Sequence, residues 1–191
     1  MSQDAVSFLR DDPDIGPLVA EHGEVTLQPA ADLFERLLVS VLRQQVSMAS
    51  ANATRQRLED AVEIAPEALL RTEQSTLRDV GLSRQKASYV HNIADAVIEH
   101  GYSREYFEGM SDDAVIAELT SIKGVGIWTA KMQLLFSLGR PDVFPVEDLG
   151  IRNGMHAIYG DDLDRSRMVE IAERWRPYRS YATLYLWCAV D

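Results

Sequence analysis

The sequence predicts an all-α fold, on three observations. Nearly every segment carries apolar residues at helical spacing, no run alternates convincingly as a strand would, and residues 119–138 read as helix, hairpin, helix. In order along the chain, Phe34, Leu37, Leu38, Val41 and Leu42 lie on one helical face after a break at Pro29. Met48, Leu58 and Val62 belong to a second helix that ends before Pro66. Leu77 and Val80 precede Gly81, a C-cap, and Ser83 can start a helix carrying Ala87, Val90, Ile93, Ala94 and Val97 as far as Gly101. Ser111 caps the first hairpin helix, with Asp112 and Asp113 favourably placed in its first turn. After Pro145 come a helix near 148–158, another near 164–174, and a last one after Pro177. Residues 1–8 are expected to be disordered, as free termini often are.

The stretch from Ser121 to Lys131, SIKGVGIWTAK, points to chemistry. Gly124 and Gly126 allow a tight reversal through positive φ, and the following helix begins with unpaired N–H groups and a positive dipole end. Such a turn suits a DNA phosphate. The same glycines would equally serve a plain corner between two helices. Lys123 and Lys131 flank the hairpin with no acid between them, in a chain of net charge −11, and so favour the phosphate.

Length and composition bound the reading without deciding it. The 191 residues can bury one core or two small lobes, and 46% hydrophobic with 26% charged residues is ordinary for a soluble protein. With no run of 18 apolar residues and no signal peptide, the expected location is the cytoplasm, associated with the nucleoid. Cys188 is the only cysteine, which excludes an internal disulfide and a four-cysteine iron–sulfur cluster. The acidic balance argues against nucleic acid at first sight. Its distribution matters more: residues 1–35 hold eight acids against Arg10, whereas residues 165–179 hold five arginines against Glu170 and Glu173. The acid is therefore expected away from a DNA face. Lysines are only three, Lys86, Lys123 and Lys131, which fits a salt-rich cytoplasm or a GC-rich genome equally.

KGVGIWTAK followed by FPVEDLGIR resembles the helix-hairpin-helix (HhH-GPD) DNA glycosylase superfamily, most closely its 3-methyladenine DNA glycosylase II branch. The resemblance runs from about Phe34 to Trp187. It implies a two-lobed helical fold without the N-terminal β-rich domain of longer relatives. Residues 31–139 would form a central lobe with the hairpin at about 112–138. Residues 1–30 with 140–191 would complete a cleft for a flipped base. It implies a monofunctional enzyme of base excision repair that hydrolyses the N-glycosidic bond of alkylated bases and leaves an abasic site. The partner would be double-stranded DNA containing damaged bases, with no membrane, no cofactor and a monomeric chain.

Site residues follow position by position. D148-L-G-I-R-N fits the motif after the hairpin, making Asp148 the catalytic carboxylate. An ionised carboxylate beside the anomeric carbon stabilises the positive charge that builds on the sugar, and can orient or deprotonate the attacking water. Asp148 could also simply cap the helix it precedes, and Glu147 is the competing carboxylate, one position out of register. Where bifunctional relatives place a Schiff-base lysine, this chain has Trp128. Water then becomes the nucleophile, and the indole face attracts a cationic base by about 0.5–2 kcal/mol. Trp187 matches a second pocket tryptophan, with Tyr178 close by, and Met132 stands where the branch often has a tyrosine. Gln44 and Gln45 match the wedge that fills the gap left by the flipped nucleotide, Gln45 aligning with the wedge itself. Lys123, Gly124, Val125, Gly126, Thr129 and Lys131 would bind the DNA backbone, and a monovalent cation on hairpin carbonyls near Lys123 and Val125 is implied. His91, His100 and His156 lack metal-ligand spacing and read as structural or surface residues. Two other readings stay open: the same fold acting on deaminated or oxidised bases, and a non-enzymatic helix-hairpin-helix damage sensor.

Overall fold

A computed structural model describes residues 2–30 and 32–190. Among the described residues there are helices and no strands. The chain divides into two compact units, Ala30–Gln133 and Met1–Pro29 with Leu134–Asp191.

In the unit Ala30–Gln133, helices α3 (Leu33–Arg43), α5 (Pro66–Arg71) and α6 (Gln74–Asp79) pack with α7 (Arg84–His100), α5 and α3 most extensively, and α4 (Met48–Ala61) packs against α3. Their starts are set by side-chain caps. Asp32 accepts from Glu35 N at 2.9 Å, and Ser47, Ser83 and Ser111 each accept from the amide three residues on at 3.2 Å. Each such cap is worth about 1 kcal/mol. The apolar positions of α7 face inward as its periodicity predicts: Ala87, Val90, Ile93 and Ala94 are fully buried. Gly101 ends it in the left-handed conformation, φ 66°. Then α8 (Asp112–Thr120) runs into the hairpin and α9 (Ile127–Phe136) leaves it.

The other unit is built around α1 (Ser2–Arg10), α2 (Gly16–His22), α10 (Leu149–Tyr159), α11 (Arg165–Ala172) and α12 (Arg179–Cys188). The expected disorder of residues 1–8 is corrected for all but Met1, which lies outside the described residues: Ala5 and Leu9 are fully buried and Val6 nearly so. An amphipathic turn of helix has found a core. Burying Leu9 and Ile15 stabilises by roughly 1.5–3 kcal/mol each, enough to order a short terminal helix.

Four of the five arginines of residues 165–179, Arg167, Arg174, Arg176 and Arg179, pair with acids inside this unit. Arg174 reaches Asp12 Oδ2 at 3.1 Å and also pairs with Asp14, so two of the eight acids of residues 1–35 are matched by the arginine run. Arg179 grips both oxygens of Asp142 at 2.8 and 3.1 Å, a two-point geometry that favours arginine. Arg176 pairs with Asp142 and Glu173, and Arg167 with Glu170.

Helices α10 and α12 pack closely, and glycine permits it: a Cβ at Gly154 would overlap the Leu186 carbonyl oxygen. Gly150, one turn earlier, faces the Trp187 side chain in the same way. Ser180 fixes the chain that leads into the site, donating to Arg140 O at 2.6 Å and accepting from Val143 N at 2.9 Å.

Candidate active site

The turn before α10 is braced from both sides. Asp148 N donates to Pro145 O at 2.8 Å, and the Arg152 guanidinium reaches back to Glu147 O at 2.6 Å and Val146 O at 3.2 Å. Asp148 then caps α10: its Oδ1 accepts from Ile151 N at 3.1 Å. The same oxygen accepts a second bond, from the Trp187 indole Nε1 at 3.0 Å. Two donors from different elements fix the rotation of this half-buried carboxylate. The helix-cap reading of Asp148 is thus correct as structure, and it orients the group rather than competing with a chemical role. Glu147, the alternative, contributes its backbone carbonyl to the Arg152 brace.

Trp187 is held in turn by Phe136, whose ring stacks on it at 5.6 Å between centroids and 24° between planes. Gly150 makes the approach possible. A Cβ there would lie 2.8 Å from Trp187 Cδ1, closer than atoms tolerate, and a tight 3.1 Å from Asp148 Oδ1. Gly150, Arg152 and Phe136 were not singled out from the sequence. The glycines four apart in GIRNG signal a close helix contact, but nothing local says that an indole fills it.

Trp128 is half-buried near the start of α9, while Met132, one turn on, is 5% exposed. Tyr178 packs edge-on against Phe8 and Tyr181, at 5.5 and 6.2 Å, beside the core of its unit.

The hairpin is held by its carbonyls. Asn92 Nδ2 donates to Lys123 O at 2.9 Å and Gln44 Nε2 to Gly124 O at 3.0 Å, while Val125 N closes the turn on Ile122 O at 3.0 Å. Gly124 has φ 111°, and a Cβ there would overlap the Tyr89 ring, so this position requires glycine twice over. Gly126 corrects the expectation that both glycines supply positive φ. Its φ is not in that region, and a Cβ there would meet nothing within 4 Å. What its lack of a side chain leaves is open space on the outer side of the turn. Lys123 and Gly126 are exposed and Lys131 is half-buried, whereas Val125 and Thr129 are buried, so these last two side chains are not presented to solvent. The carbonyls of Lys123 and Val125 are neutral oxygen donors of a kind that can coordinate a monovalent ion. Lys123 O already uses one of its two lone pairs on Asn92.

The two glutamines part company. Gln44 turns inward to the hairpin, as described. Gln45 is exposed at φ 59°, the one positive-φ non-glycine among the described residues, a conformation costing of order 1–3 kcal/mol. Exposed Val46 and Met48 follow it. Lys86 does not face solvent as a free cation: its Nζ donates to Leu42 O at 2.9 Å, and burial pulls its ammonium below the usual lysine range. His91 bonds Thr72 O and His156 bonds Gly160 O, at 2.8 and 3.1 Å, and His100 stacks on Tyr102. No described helix is long and apolar enough to cross a membrane.

Comparison with known proteins matches residues 38–179 to the HhH-GPD superfamily base excision DNA repair protein family. The chain is 34% identical to DNA-3-methyladenine glycosylase 1 of Schizosaccharomyces pombe over 161 residues, covering 81% of this chain and 71% of that one. It is 28% identical to DNA-3-methyladenine glycosylase 2 of Escherichia coli over 185 residues, 91% of this chain but only 63% of the other. Among solved structures, the Schizosaccharomyces pombe 3-methyladenine DNA glycosylase in complex with abasic DNA superposes with a TM-score of 0.88 at 30% identity, over 96% of this chain and 95% of that one. Helical architecture, hairpin and the Asp148 turn thus meet in one assignment: the chain belongs to the HhH-GPD superfamily of base excision DNA repair proteins.

Proposed function

We propose that the chain is a monofunctional DNA glycosylase that flips an alkylated base of the 3-methyladenine or 7-methylguanine type out of duplex DNA and hydrolyses its N-glycosidic bond. The observation that carries this reading is the Asp148 carboxylate, held by Trp187 Nε1 and Ile151 N. As the bond to the base breaks, its electron pair leaves with the base and positive charge grows on the sugar. A carboxylate already oriented needs no rearrangement to stabilise that charge. It also accepts the proton of the water that attacks the anomeric carbon. An alkylated base is cationic, so taking the bonding pair neutralises it and little acid assistance is needed. Trp128, in place of a lysine nucleophile, supplies an aromatic face to such a base and leaves water as the nucleophile. Trp187, Met132 and Tyr178 are the other residues read as base-facing.

The hairpin supports DNA binding by its backbone, with Lys123, Gly126 and Lys131 directed to phosphate and Gln45 read as the wedge. The names of the relatives support the substrate class, and the abasic DNA in the Schizosaccharomyces pombe complex supports duplex DNA as partner. An enzyme of this kind works on the chromosome, in the cytoplasm and as a monomer, and hydrolysis requires no cofactor.

The test is base release from three duplexes, carrying methylated purines, hypoxanthine or 8-oxoguanine. The expected outcome is free 3-methyladenine or 7-methylguanine. Release confined to hypoxanthine or 8-oxoguanine reassigns the substrate, and binding without any release makes the chain a damage-sensing module.

A further inference from the structure

One helix supports both elements that this reading places on DNA. From α7, Lys86 closes the last turn of α3 through Leu42 O, immediately before the two glutamines, and Asn92 holds the hairpin carbonyl of Lys123. Tyr89, between them on the same helix, packs so tightly under Gly124 that no side chain fits there. Gln44 bridges the two elements directly, its amide donating across 80 residues of sequence to Gly124 O at 3.0 Å. The residue after it, Gln45, is the strained one. A turn that is exposed and bears apolar Val46 and Met48 has no reason to hold positive φ at a glutamine unless its neighbours fix it.

We propose that Gln44 is a positioning residue, which locks the wedge turn to the hairpin so that the distance between gripped phosphate and inserted side chain is set before DNA arrives. This rests on the reading of the hairpin as the grip and Gln45 as the wedge. Physically, the bond reduces the ordering that binding would otherwise require, since the wedge enters the duplex from a turn already in its final conformation. It also occupies an inner hairpin carbonyl, leaving the outer side of the turn to the phosphate.

The experiment compares binding to an abasic-analogue duplex with binding to the intact duplex, for wild type, Gln44→Ala, Gln44→Met, Gln45→Ala and the double variant Gln44→Ala with Gln45→Ala. Taking the ratio of the two affinities removes any loss from general instability, and Met keeps the length of the side chain while deleting its donor. The preference for the abasic duplex should fall about three- to tenfold for both Gln44 variants, the range of one uncharged hydrogen bond. In the Gln45→Ala background, Gln44→Ala should cost no further preference. An equal cost in both backgrounds, or no cost in either, overturns the positioning role while leaving the wedge in place. If Gln45→Ala itself keeps the full preference, the wedge reading fails and the proposal with it.

Discussion

The hairpin and the Asp148 turn are built in opposite ways. The hairpin is held from within, with Asn92 and Gln44 donating to its carbonyls and Tyr89 wedged beneath Gly124, so that its outward face is backbone and a lysine. The Asp148 turn is held from without, by Arg152 on its carbonyls and by Trp187 on the carboxylate itself, so that one side chain is the product of the whole arrangement. On the proposed function, a grip made of dipoles should spread its work over several groups and lose a little when one is altered. A site made of one charge should lose nearly everything. Mutations should separate the two.

The largest effect is expected at the carboxylate. Asp148→Asn keeps a cap and an acceptor for Trp187, so folding and DNA binding should persist while base release falls by about 10²–10⁴-fold in a single-turnover assay. Near-normal release would move the chemistry elsewhere, and a larger loss from Glu147→Gln would place it one residue earlier. Gly150→Ala comes next. The added methyl cannot coexist with the indole where it stands, so Trp187 must shift and Asp148 lose the indole donor. Release should slow by roughly 10-fold, with duplex affinity unchanged, because displacing an orienting group costs rate before it costs binding. Equal rates for this variant and wild type would mean that the indole contact is packing alone. The smallest effect belongs to the hairpin: Gly126→Ala meets no neighbour in the protein, so the melting temperature should hold, while affinity for damaged and undamaged duplexes falls together by about three- to tenfold. Unchanged affinity would reduce the hairpin to a corner between helices.

How much of each region could be read from the sequence follows from the same contrast. The hairpin is local, so its glycines, its flanking lysines and the serine cap of α8 all stand within a short run, and α7 announces its buried face by period alone. Even there, sequence does not tell which of the two glycines takes positive φ, and only Gly124 does. The Asp148 site is non-local. A motif singles out Asp148, but Trp187 lies 39 residues away, and neither the room at Gly150 nor the Phe136 stack has a signature in the run around it. The ion pairs are non-local for a similar reason: a run of arginines looks like a surface until Asp12, Asp14 and Asp142 are folded onto it. The first helix was missed because a short amphipathic terminus acquires its stability only from the core it joins.

In the proposed reaction Asp148 directs water, and no protein nucleophile, at an alkylated nucleotide. This is tested most directly by incubating the enzyme with methylated duplex DNA in the presence of borohydride and analysing base, strand and protein together. The expected products are free methylated purine and an unbroken strand carrying an abasic site, with no protein covalently attached to DNA. A trapped covalent complex with a cleaved strand would make Lys123 or Lys131 a nucleophile and would contradict the proposed reaction.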